Sequence, residues 1–135
     1  MIQRIQSFLL ALVVFINAGV FFTPLYNHAA NDPAQWILII FSAALGLSAL
    51  LSVVSIFMYQ NRPNQRRWVK IAMLFQVVAL GFGTGILFSL GGFGTYLWDE
   101  TLSLGLVLIG LILQIVANKY IKKDEELVRS MDRIR

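Results

Sequence analysis

Trp36-Ile-Leu-Ile-Ile-Phe-Ser-Ala-Ala-Leu-Gly-Leu-Ser-Ala-Leu-Leu-Ser-Val-Val-Ser-Ile-Phe-Met-Tyr59 contains no charged side chain from end to end. A bilayer core of about 30 Å needs roughly 20 mostly apolar helical residues to cross it. In lipid the backbone groups must bond one another, so a single helix satisfies this stretch. A membrane barrel would instead show alternating segments of about ten residues, and the chain has no such pattern. Three more stretches read the same way: about Ile5 to Leu25, Trp68 to Leu90, and about Thr101 to Tyr120. Residues 1–135 are therefore expected to form one all-α integral membrane domain, a four-helix bundle with a tail over 121–135.

Composition agrees. Of 135 residues, 58% are hydrophobic and only 13% charged, about half the charge that a soluble surface of this size carries. The absence of cysteine excludes disulfides, thiolate chemistry and iron–sulfur ligation, and the single histidine, His28, excludes a histidine-cluster zinc site or a pair of haem histidines. No cofactor and no enzymatic activity are expected. Tyr and Trp favour the headgroup zone, and all seven fall at proposed span ends. Tyr26, Trp36, Tyr96 and Trp98 mark one side, and Tyr59, Trp68 and Tyr120 the other.

Lys and Arg set orientation, because short loops that carry them stay in the cytoplasm. Arg4, Arg62, Arg66, Arg67, Lys70, Lys119, Lys122, Lys123, Arg129, Arg133 and Arg135 all fall on one side of a four-span path. Taking Asp124, Glu125, Glu126 and Asp132 from these eleven leaves +7 on that side. Asp32, Asp99 and Glu100 leave −3 on the other, matching the net +4. Both termini are thus expected in the cytoplasm. The positive charge reports topology and anionic headgroups of the inner leaflet, and nucleic acid is not an expected partner. Span one is expected to be retained as a span, since its apolar run exceeds a usual signal-peptide core and Pro24 to Asn27 makes a poor cleavage approach.

Small and polar residues say where the spans pack. Span two carries Ala44, Ser48, Ser52 and Ser55. Span three carries Ala72, Gln76, Ala79 and Gly83, with Gly81 and Gly85 on another face. Span four carries Ser103, Gly110 and Ala117, with Gln114 on the same side. Gln76 and Gln114 sit at similar depth, and a direct hydrogen bond between their side-chain amides is expected, worth roughly 0.6 to 2 kcal/mol. The run Gly81-Phe82-Gly83-Thr84-Gly85 and Gly91-Gly92-Phe93-Gly94 reads as close packing or a bend. Asp99 and Glu100 read as helix N-terminal acids, and Asp32-Pro33 as a cap and first turn. His28 reads as a loop residue.

Beyond span four the chain lacks Gly and Pro and should continue as a helix. Leu127, Met131 and Ile134 form an apolar stripe there, and Glu125 and Arg129 are a favourable i,i+4 pair. Asp124-Glu125-Glu126 should turn from the anionic surface toward Arg62, Arg66 and Arg67. Arg62, Arg66, Arg67, Lys70, Lys122 and Lys123 are the expected headgroup or partner contacts, with Leu127, Met131 and Ile134 as the apolar part.

The opening Met1-Ile-Gln-Arg-Ile-Gln6, the connection Tyr59-Gln-Asn-Arg-Pro-Asn-Gln-Arg-Arg67 and the close Lys122-Lys-Asp-Glu-Glu-Leu-Val-Arg-Ser-Met-Asp-Arg-Ile-Arg135 resemble a family of small bacterial membrane proteins. That family, typical of Bacteroidota, is known only as a domain of unknown function. The likeness extends over the chain and is most specific at its two ends. It implies four spans in the inner membrane, and it supplies no catalytic residue, substrate or cofactor. The expected function is a non-enzymatic accessory or assembly subunit that binds other membrane-protein chains. The alternative is a small transporter or channel working as an oligomer. A quinone or lipid held in a groove is compatible with either.

Overall fold

The computed structural model describes residues 2–31, 35–58, 60–89 and 98–134. The chain is all-α there: α1 Ile2–Val20, α2 Pro24–Ala30, α3 Gln35–Phe57, α4 Arg62–Ser89 and α5 Trp98–Ile134. Three helices, α3, α4 and α5, are long and apolar enough to cross a membrane, and Ile5–Val20 forms a shorter apolar helix. α1 packs on α3 and α5, and α4 packs on the same two, so the four long helices close a ring.

The first stretch departs from its expected bounds. One helix to Leu25 is replaced by α1, a turn at Phe21–Thr23, and the short α2. Pro24 explains the break. A continuing helix would offer the amide of residue 24 to the carbonyl of Val20, and proline has no N–H. The Thr23 backbone N–H takes that carbonyl at 3.1 Å and the Thr23 hydroxyl donates to it as well. Pro24 then opens α2, where a missing N–H costs nothing. α2 lies against α3, α4 and α5, and its Leu25 is fully buried with Val20, Phe41, Ile86 and Leu87. It stoppers one end of the ring.

The other end is tighter than the expected connection Tyr59–Arg67 implies, because α4 already begins at Arg62. Asn61 precedes the helix and accepts the Gln65 amide at 2.9 Å, and Pro63 sits in the first turn. The buried Gln65 side chain reaches back and donates from Nε2 to the Ser55 carbonyl at 2.9 Å, which also accepts the Met58 N–H at 3.2 Å, so the start of α4 is tied to the end of α3. Sequence reading assigned Gln65 no role.

α5 continues unbroken past Tyr120, as the tail composition implies. Its 37 residues span about 55 Å, well beyond a hydrocarbon core. Asp99 and Glu100 occupy its first turn, where the helix dipole favours acids. Asp32-Pro33, Gly91 to Gly94, Tyr59 and Tyr96 lie outside the described residues. So do the side chains of Arg4, His28, Arg62, Asp132, Arg133 and Ile134.

Candidate functional site

The ring has a polar layer between two apolar ones. At the α2 end, Val20, Leu25, Phe41, Leu45, Ile86, Leu104 and their neighbours form the larger apolar cluster. Leu10, Val69, Ala117 and Ile121 form the smaller one toward the α1 N-terminus. Asn17, Ser48, Ser52, Gln76 and Gln114 are fully buried.

Gln76 of α4 is the hub. Its Oε1 accepts from Asn17 Nδ2 at 3.0 Å and from the Ser48 hydroxyl at 2.7 Å. Its Nε2 donates to Asn17 Oδ1 at 3.1 Å and to the Val107 carbonyl at 3.0 Å. One amide therefore binds α1, α3 and α5 together. Gln114 does not meet Gln76, contrary to the direct bond expected from their matched depth. Its Nε2 donates to Ser48 Oγ at 2.9 Å and Ser52 Oγ at 3.3 Å. Ser48 joins the two amides, accepting from one and donating to the other. It is free to do so because its hydroxyl is not spent on its own helix. Ser52 and Ser55 instead donate to the carbonyls of Ser48 and Leu51, both at 2.8 Å.

Asn17 was legible only as the single polar residue between Phe8 and Phe22. A polar side chain alone on an apolar helix was the signal, but its partner lies on another helix and cannot be read from α1. Gly110 makes the junction possible. A Cβ at that position would lie 2.8 Å from Gln76 Nε2 and 3.4 Å from Asn17 Oδ1. Gly83 plays the same part in the apolar cluster, where a Cβ would lie 2.8 Å from Leu104 Cδ1 and 3.1 Å from the Phe41 ring. Ala44, Ser48, Ser52 and Ser55 of α3 are buried, as are Ala72, Gln76, Ala79 and Gly83 of α4 and Ser103, Gly110, Gln114 and Ala117 of α5. All three packing stripes thus face inward. Gly81 and Gly85 face outward, along an apolar groove of about 480 Å³ with Trp36, Ile37, Val78 and Phe82.

The exterior reverses the interior. Phe15, Phe22 and Phe57 are 75%, 87% and 76% exposed, among many exposed Ile and Leu side chains. Lys70 flanks a second apolar groove, of about 390 Å³, between α4 and α5. Arg67, Lys122 and Lys123 are exposed. Glu125 lies 3.6 Å from Arg66 and 3.0 Å from Arg129, so of the acidic cluster Glu125 reaches α4, through Arg66. Leu127 and Met131 are 45% and 66% exposed. Their stripe is not folded back on the protein.

Fold and site together define an all-α protein with membrane-length apolar helices around a hydrogen-bonded polar centre. The chain belongs to the family described as Domain of unknown function (DUF4293), whose model matches residues 29–134. The match takes in α3, α4, the basic connection and nearly all of the tail, but not the opening Met1 to Gln6, so the resemblance at that end is not part of it. No curated protein and no solved structure matches the chain.

Proposed function

We propose that this chain crosses a bacterial inner membrane four times and serves as a small, non-enzymatic accessory or assembly subunit of a larger membrane complex. Inverted polarity supports the membrane reading, since polar side chains bond one another inside while Phe, Ile and Leu face out. In water that arrangement forfeits the hydrophobic effect, whereas in lipid it costs nothing. α1 alone spans about 28 Å, slightly under a hydrocarbon core, and α2 adds the remaining depth. The basic residues at the open end favour a cytoplasmic position for both termini. There Arg67, Lys70, Lys122 and Lys123 meet anionic headgroups, each worth about 1 kcal/mol near the surface.

The observation that carries the subunit reading is the end of α5. It continues a membrane helix without a break, is tied to α4 through Glu125 and Arg66, and leaves Leu127 and Met131 uncovered. An apolar stripe held out beyond the headgroups is a surface that a partner chain would cover. Full burial of Asn17, Gln76 and Gln114 supports a packed centre over a substrate path, and so favours this reading over an oligomeric transporter or channel. Deleting residues 127–135 is expected to leave insertion and helicity unchanged and to abolish co-purification of partner chains from mildly solubilised native membranes. Retention of the same chains by the truncated protein would remove the tail from the account.

A further inference from the structure

The groove between α4 and α5 ends in positive charge. Of about 390 Å³, it is walled by Lys70, Met73, Leu74 and Val77 of α4 and by Leu111 and Ile115 of α5. From Lys70 to Val77 it runs about 10 Å along the helix, which fits within one leaflet of a core about 30 Å thick. The α3–α4 groove is larger, about 480 Å³, but none of its lining residues is charged.

Both walls supply the charge. α4 and α5 run antiparallel, with Gly83 beside Leu104, Gln76 beside Gly110 and Arg66 beside Glu125. That register sets Lys70 level with Lys119 to within about one turn. Leu111, Ile115 and Lys119 follow one another at spacings of four, so Lys119 continues the α5 wall toward the basic end. Lys70 and Lys119 are both exposed, and neither forms an ion pair among the described residues. Of the acids beyond them, Glu125 is held by Arg66 and Arg129. Glu126 stands about 10 Å of helix rise past Lys119, away from the groove. An apolar slot within one leaflet, with two cations at its mouth, matches a ligand that joins an acyl chain to an anionic head. Lysine suits that mouth, because its alkyl stem packs on apolar surface while its ammonium reaches the headgroup level.

We propose that the α4–α5 groove binds one anionic phospholipid from the leaflet on the basic side. One acyl chain lies along Leu74, Val77, Leu111 and Ile115, and the phosphate sits between Lys70 and Lys119. The proposal rests on the membrane reading and is independent of the subunit role. A basic collar attracts any anionic surface, whereas this groove holds a single molecule by head and chain together.

Native mass spectrometry of the full chain in detergent micelles tests it, with phosphatidylglycerol or phosphatidylcholine of identical acyl chains added. The protein is expected to retain one phosphatidylglycerol and to release phosphatidylcholine. Lys70→Gln with Lys119→Gln should weaken phosphatidylglycerol binding about thirtyfold, at about fivefold for each cation. Lys70→Arg with Lys119→Arg should keep it. Val77→Trp and Ile115→Trp fill the groove from exposed positions on its two walls, leave both cations in place, and should each lose the lipid. Loss in the Gln pair but in neither Trp variant would reduce the site to a diffuse basic surface and overturn the proposal. Equal retention of the two lipids would overturn it and leave the membrane reading standing, whereas binding of neither would count against both. A dimer that excludes phosphatidylglycerol would assign the groove to a second copy and overturn it too.

Discussion

Gln76→Met is expected to destabilise the protein by about 2–4 kcal/mol, with the helices still formed. The substitution keeps the length of the side chain and removes all four hydrogen bonds at the hub. Interhelical bonds in membrane proteins average about 0.6 kcal/mol and reach about 1.7, so four account for most of that loss. The rest comes from Asn17, whose amide loses the partner of both its atoms inside a closed core. Adding Asn17→Leu to Gln76→Met should therefore cost less than the sum of the two single changes, because nothing is then left unbonded between α1 and α4. Unfolding in mixed micelles, followed by circular dichroism, measures all three variants. Additive losses would mean that Asn17 and Gln76 are not coupled.

Gly110→Ala is expected to cost about 1–3 kcal/mol, against the usual gain of about 1 kcal/mol when alanine replaces glycine within a helix. Its methyl would sit 2.8 Å from Gln76 Nε2, an atom held by two acceptors and unable to retreat without giving up a bond. Gly105→Ala on the same helix is the control, since a Cβ there meets nothing within 4 Å. The same unfolding assay should show Gly105→Ala neutral or slightly stabilised and Gly110→Ala clearly weakened. Equal behaviour of the two would deny Gly110 its role as the gap that admits the hub.

The contrast between these glycines shows what a single sequence reveals of such a protein. Hydropathy and length mark the apolar helices, and the small residues at heptad-like spacing mark the faces that turn inward, Gly83, Gly110 and Ala117 among them. Those signals are properties of one helix at a time. Which residue of one helix meets which of another depends on axial register, and so Gln76 meets Asn17 and Ser48 while Gln114 reaches Gln76 only through Ser48. Hydropathy also stays high across Phe21, Phe22 and Leu25, which hides the break that Pro24 imposes. Backbone chemistry at proline carries that information, and average polarity does not. The basic connection read as a loop for a related reason. Its charge marks a surface, but Asn61 and Pro63 mark a helix start, and both hold at once when the first turns of α4 stand in the headgroup zone. The tail pairing of Glu125 with Arg66 was within reach of the sequence because charge sign and helical continuation are local.

The central claim is a four-span path with both ends on the basic side, and the absence of cysteine makes it directly testable. Asn31 and Ser130 are both exposed, at opposite ends of the described helices. In otherwise unchanged protein, Asn31→Cys and Ser130→Cys each give one site for a membrane-impermeant maleimide applied to spheroplasts. The account predicts that Asn31→Cys is labelled on intact spheroplasts and that Ser130→Cys is labelled only after the membrane is opened. Labelling of Ser130→Cys on intact spheroplasts, or protection of Asn31→Cys until lysis, would contradict it.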